Sequence, residues 1–173
     1  VKGISYLIDA FAEINTEIPN AKLFIIGRDD GIKKQILEKI KKHPYKNKIF
    51  LLGFLKTEDI KKILSKTSVY VQPSLNEGLG IAAIEAMAMQ CPCVFTDVAG
   101  LGEIADNEQN ALLVPPKNSK KIFEAVLWHY KNRAKSKAKA INARNYIMRE
   151  FNSKLIADKY YMLYKQILGE KCI

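Results

Sequence analysis

The chain reads as an α/β domain: a doubly wound parallel sheet with helices on both faces and a helical tail. Two observations predict this class. Short apolar runs, each ended by a glycine or a turn signal, alternate along the chain with longer runs whose apolar residues recur every three or four positions. At 173 residues, with 48% hydrophobic and 27% charged residues, the chain is also large and apolar enough for one folded domain with a sizeable core. Strands separated by helices pair in parallel, because a parallel crossover needs a long connection, and such sheets are covered on both faces.

The elements follow in order. Ile4, Leu7, Ile8, Phe11 and Ile14 share one face of a first helix, which Pro19 and Asn20 end. A strand over 22–26 stops at Gly27. Residues 31–42 form a helix with Ile32, Ile36, Leu37 and Ile40 inward and lysines outward, and Pro44 stops it. A strand over 48–52 ends at Gly53. Thr57 is expected to cap the next helix, with Glu58 and Asp59 in its first turn and Ile60, Ile63 and Leu64 inward. A strand over 68–72 leads to a helix ending near residue 90, then to a buried strand over 93–96. A short helical turn over 102–105 and a last strand over 111–114 come next. Asn118 or Ser119 caps a helix to about residue 132, and two more helices are predicted over 135–150 and 153–168. Ligands bind such sheets at the carboxyl ends of the strands, where Gly27, Gly53 and Glu77 fall.

Composition excludes several classes. No apolar run approaches the ~20 residues that cross a bilayer, and the start has no signal-peptide pattern. Cys91, Cys93 and Cys172 are odd in number and tightly spaced, which argues for a reducing cytoplasm; Cys91 and Cys93 read as packing residues around a buried strand. His43 and His129 lie far apart and make no metal pattern. The net charge of +10 is unevenly spread: residues 1–66 hold 14 Lys and Arg against 8 Asp and Glu, residues 67–116 none against 6, and residues 117–173 14 against 4. No nucleic-acid motif accompanies the basic tail, so nucleic acid is not expected as a partner. Solvation explains most lysines on helix faces, and an anionic membrane surface is the next reading.

The acidic middle holds the stretch of interest, residues 73–88, Pro-Ser-Leu-Asn-Glu-Gly-Leu-Gly-Ile-Ala-Ala-Ile-Glu-Ala-Met-Ala. Its helix has apolar residues in every direction, and a helix apolar all round is normally buried. Glu85 is its one carboxylate. If buried, it needs donors, and no Lys or Arg lies between residues 67 and 116. Backbone N–H groups or a distant arginine would serve; so would the paired hydroxyls of a ribose, since a carboxylate offers two accepting oxygens. Both readings stand on these residues. Ahead of the helix lie Glu77 and the glycines at 78 and 80. The free N–H groups and positive dipole of a helix start suit a phosphate. A nucleoside diphosphate sugar matches all three features.

At these residues the sequence resembles the retaining, GT-B-fold nucleotide-sugar glycosyltransferases, whose signature sets two glutamates eight apart, here Glu77 and Glu85, within Pro-Ser-x-x-Glu-Gly-x-Gly-x-x-x-x-Glu-Ala-Met-Ala, like the family-4 group. The likeness extends to Lys2-Gly3, Ile25-Ile26-Gly27, Phe50-Leu51-Leu52-Gly53-Phe54, Cys91-Pro92-Cys93-Val94, Gly100-Leu101-Gly102-Glu103-Ile104 and Leu113-Val114-Pro115. It covers only the C-terminal, donor-binding half of such an enzyme, a Rossmann-like domain. The resemblance implies that Glu77, Leu79 and Gly80 lie near the transferred sugar, with Glu77 the catalytic candidate. Lys2 and the helix start at Gly80, Ile81 and Ala82 would meet the diphosphate, Glu85 the ribose and Leu55 the base. The loop from Gly27 to Gly31 reads as a solvated turn, with Arg28 a distant candidate for phosphate.

Further expectations follow from the likeness. The chain opens on a helix where the family has a strand ending in Gly-Arg, so a first strand and an N-terminal acceptor domain are expected to be missing. The piece alone would then bind a nucleotide sugar without transferring it. The tail, residues 152–173, resembles the segment that crosses to that other domain. No cofactor and no metal are expected, the acceptor would be a glycan or a lipid-linked acceptor, and the location would be cytoplasmic with peripheral contact at the inner membrane face. Gln90 replaces the usual glycine and puts the left-handed helix end in doubt. The rivals are a nucleotide-sugar epimerase or phosphorylase of the same plan, or a non-catalytic binding subunit.

Overall fold

The computed structural model describes residues 2–29, 31–106 and 109–169; Asp30, Cys172 and the last residues of the expected tail lie outside the described residues. The elements are α1 (Ile4–Glu17), β1 (Leu23–Ile26), α2 (Lys33–Lys42), β2 (Ile49–Gly53), α3 (Thr57–Leu64), β3 (Tyr70–Gln72), α4 (Ile81–Ala88), β4 (Cys93–Thr96), α5 (Ala99–Gly102), β5 (Leu112–Val114), α6 (Ser119–Lys131), α7 (Arg133–Glu150) and α8 (Ser153–Ile167). Every strand pair is parallel.

Hydrogen bonding divides the strands into a pair, β1–β2, and a triple in the order β3–β4–β5. Phe24 lies opposite Phe50 in the pair, and Val71 opposite Val94 in the triple. Among the described residues β1 and β3 do not pair, and β3 has a strand partner on one side only.

Two cores cover the sheet. One joins Leu7, Ile8, Phe11 and Ile14 of α1 to Ile25, Ile49, Val94, Val114 and the inner face of α6, so α1 packs on residues from both strand groups. The other joins Ala83, Ala86 and Met87 of α4 to Cys91, Cys93, Phe95, Leu101, Ala143 and Ile147. All of β4 is buried, with Val94 in the first core and Cys93 and Phe95 in the second. Alternation along a strand sends neighbouring residues to opposite faces, which is how a doubly wound sheet uses its central strand.

Several expectations are corrected. Thr57 is the first residue inside α3, not its cap: Lys56 takes the cap position and makes no side-chain cap bond. Asn118 does cap α6, accepting from the Lys121 N–H at 3.0 Å. The short helix sits at 99–102 rather than 102–105. Gln90 adopts the left-handed conformation (φ 56°) despite its side chain, and the Cys91 N–H then closes α4 on Ala86 O at 3.0 Å. A glycine would adopt that conformation without the Cβ clash, which costs on the order of 1 kcal/mol.

The largest correction concerns α4. It is not buried all round: Ala83, Ala86 and Met87 face the core, but Ile81 is 68% exposed, and Ala82 and Glu85 are exposed beside it. Its apolar composition misleads because alanine is indifferent to which face it occupies. Glu85 therefore stands in solvent, and no internal donor is forced on it.

Candidate functional site

The site forms where β3 ends. Gln72 closes the strand, Pro73 and Ser74 are buried, and the chain then loops through Leu75, Asn76 and Glu77 before Gly80 turns it into α4. Two other segments hold this loop. From one side comes Gly3, at the start of α1, whose φ is 62°; a Cβ there would lie 1.8 Å from Pro73 O. From behind comes α5. The Gly100 N–H donates to Glu77 O at 3.1 Å, and a Cβ on Gly100 would fall 2.0 Å from Gly78 O. The docking of Gly3 places Lys2 over the loop.

Glu77 is fixed by three donors. Lys2 Nζ at 2.9 Å, Gln72 Nε2 at 2.8 Å and Ser74 Oγ at 3.1 Å all reach its Oε2. The side chain is 14% exposed. Burial pushes its carboxyl up, but the Lys2 hydrogen bond and charge, with Ser74 and Gln72, outweigh burial and hold it below the usual carboxylate range. Ser74 is anchored in turn, its carbonyl accepting from Thr96 Oγ1 at 2.5 Å.

In α4 the first helical donors, the N–H groups of Ala83 and Ile84, both reach Gly80 O. The helix supplies no partner for the N–H groups of Ile81 and Ala82. Both residues line a cavity of about 350 Å³, together with Lys2, Gln72, Glu77, Gly78, Leu79 and Gly80. A cation, an anchored carboxylate and a helix start thus converge on one hollow of a size suited to a small ligand. Among the described residues no three His, Cys, Asp or Glu side chains gather as a metal site.

Six of the residues expected from sequence line this cavity: Lys2, Glu77, Leu79, Gly80, Ile81 and Ala82. Glu85 and Leu55 do not. Glu85 lies one turn beyond Ile81 on the exposed flank of α4. Leu55 is half-buried after the end of β2. Arg28 stacks over Phe54, 4.7 Å from the ring centroid. Gln72 and Ser74 were not expected. Ser74 lay in the Pro-Ser lead-in, and Gln72 was legible as the one polar residue closing the apolar strand.

Comparison with known proteins places the chain in a family. The family model for glycosyl transferases group 1 matches residues 1–146. The chain belongs to that family. It is 40% identical over 125 residues to an uncharacterized glycosyltransferase of Methanocaldococcus jannaschii, covering 72% of this chain and 32% of that protein. Among solved structures, sucrose-phosphate synthase from Thermosynechococcus elongatus superposes with a TM-score of 0.88 at 27% identity, over 98% of this chain and 43% of the other. The C-terminal domain of a glycosyl transferase group 1 family protein from Francisella tularensis superposes at 0.78 and 25% identity, over 88% of this chain and 80% of that one. The chain spans less than half the length of the curated relatives it matches first.

Proposed function

We propose that the chain is the donor-binding domain of a retaining glycosyltransferase, holding a nucleoside diphosphate sugar whose hexose passes to a glycan or lipid-linked acceptor. The observation that carries this reading is the convergence of Lys2, the free N–H groups of Ile81 and Ala82, and Glu77 on one cavity. In the reaction the bond from the anomeric carbon to the diphosphate oxygen breaks, with the electron pair leaving on the diphosphate. The acceptor's hydroxyl oxygen bonds that carbon from the same face, and its proton passes to the departing diphosphate oxygen. Negative charge grows on the leaving diphosphate, and preorganised N–H groups with a cation stabilise it there without a metal. Glu77 contacts the sugar, and Glu85, reaching along the exposed flank of α4, accepts from the ribose hydroxyls. Leu55 is assigned to the base.

The acceptor side belongs to a second domain of a longer protein, so the piece alone binds without transferring. A strand ahead of α1 would fill the place between β1 and β3, where pairing is interrupted. The tail α8 would cross to that domain. The basic helices α6 and α7 are assigned to a cytoplasmic membrane face carrying anionic lipid.

Calorimetry with UDP, GDP and ADP tests the site. One of them should bind, and Glu85→Ala should weaken it by about ten- to a hundredfold, the loss of charged hydrogen bonds at ~1.5–3 kcal/mol each. Glu77→Ala should weaken the nucleotide sugar and spare the free nucleotide. Unchanged nucleotide affinity in Glu85→Ala removes the ribose assignment, and no binding by the parent chain removes the site.

A further inference from the structure

Gln72 is 8% exposed, sits at the end of β3 and makes two side-chain hydrogen bonds: its Nε2 donates to Glu77 Oε2 and its Oε1 accepts from the Tyr70 hydroxyl, both at 2.8 Å. The directions follow from chemistry. An ionised carboxylate only accepts, so the amide must present its nitrogen to Glu77. Its oxygen is then committed to Tyr70, which must donate. Tyr70 and Gln72 are two apart on one strand and so share a face. The Tyr70 ring meets Phe95 edge-on at 6.2 Å, which ties this end of the chain of bonds to the core.

We infer that Tyr70 and Gln72 are positioning residues of Glu77, dedicating Oε2 to the protein so that Oε1 is the oxygen presented to the ligand. Every side-chain hydrogen bond that Glu77 makes among the described residues ends on Oε2. The Lys2 contact alone would not hold the carboxylate through a binding cycle, because Lys2 is exposed and an incoming diphosphate attracts the same ammonium. When Lys2 turns to the phosphate, Gln72 and Ser74 keep the carboxylate in place. Burial pushes the Tyr70 phenol above its ordinary value, so it keeps the proton it donates. The ligand side of this inference rests on the proposed nucleotide-sugar site; the bond pattern does not.

The test combines a carbon-13 NMR titration of the Glu77 carboxyl with calorimetry on the 173-residue chain, for Tyr70→Phe, Gln72→Leu and the double variant. Gln72→Leu should raise the Glu77 pKa and weaken nucleotide-sugar binding about tenfold, the loss of one charge-assisted bond, while leaving the free nucleoside diphosphate within about twofold. Tyr70→Phe removes one oxygen and keeps the ring on Phe95, and it should shift both readouts the same way by less. The double variant should match Gln72→Leu alone, since Tyr70 acts only through Gln72. A Glu77 pKa unmoved by Tyr70→Phe and Gln72→Leu overturns the inference, as do additive losses in the double variant. Should Gln72→Leu not fold, Tyr70→Phe decides by itself. Should the parent bind no nucleotide, the functional reading fails while the titration still settles the bond pattern.

Discussion

His129, 3% exposed, has two ring nitrogens in different roles. Nε2 faces the Cys93 carbonyl at 3.3 Å, which can only accept, so this nitrogen carries the proton. Nδ1 is then left to accept from the Ser136 hydroxyl at 2.8 Å. Burial lowers the imidazole to about 4, against a weaker upward pull from the Cys93 carbonyl. The unfolded chain binds this proton near pH 6.5 and the folded one only near 4. Stability is therefore full above pH 6.5 and falls as pH drops through that window, by on the order of 3 kcal/mol at its end. Urea titrations from pH 7.5 to 4 should show the decline, and His129→Gln should flatten it. An unchanged pH slope in that variant counts against a neutral buried imidazole. At this scale the glycines of the loop were legible from their type, whereas Lys2 and Glu77 were singled out through the resemblance of the motif around them, and both line the cavity. The sequence was misleading where burial had to be guessed. Glu85 was assigned its need for a partner from the alanines around it, and alanine does not report which side of a helix faces water.

Between residue and molecule, α5 shows how a four-residue helix governs a site it does not line. Its Gly100 lets the backbone of Glu77 and Gly78 rest against it, and Leu101 packs behind Gly80. Gly100→Ala puts a methyl group 2.0 Å from Gly78 O, so the loop or α5 must move. We expect a stability loss of about 1–3 kcal/mol, typical of overpacking, together with lost nucleotide-sugar binding. Gly102→Ala, two residues on, meets only Asp97 Oδ1 at 3.4 Å and serves as the control that should fold and bind. Equal behaviour of the two variants in thermal melts and calorimetry removes this role for α5. The longer elements were more legible: apolar periodicity over α1 leaves one choice of face, and Leu7, Ile8, Phe11 and Ile14 are buried. The short ones were not. A run such as Ala-Gly-Leu-Gly has no period to read, and α5 is placed by the tertiary bond from Gly100 to Glu77, which no local pattern encodes.

At the scale of the whole molecule, charge and tail divide what the cores hold from what they do not. Helix α8 buries no residue: Tyr160, Tyr161, Leu163, Tyr164 and Ile167 are exposed, and none of its residues belongs to either core. Truncation after residue 152 removes none of the described residues that build either core, so the urea stability should stay within about 0.5 kcal/mol of the parent, as for other surface changes. The same truncation separates two surfaces for membrane contact. Helices α6 and α7 carry Lys120, Lys131, Arg133, Lys135, Lys137, Lys139, Arg144 and Arg149 among their cations, against Glu124 and Glu150. Arg133 lies over Tyr130, 5.4 Å from its ring centroid, and Lys139 Nζ lies 5.9 Å from the Trp128 centroid. Each such cation near an anionic surface contributes about 1 kcal/mol, within a Debye length of about 10 Å at 0.1 M salt. Parent and truncated chains should therefore sediment equally with phosphatidylserine vesicles at low salt and leave them at high salt. Loss of binding on truncation moves the contact to the aromatic face of α8. No binding by either chain withdraws the membrane assignment, and a large drop in stability on truncation shows that α8 packs on the domain after all.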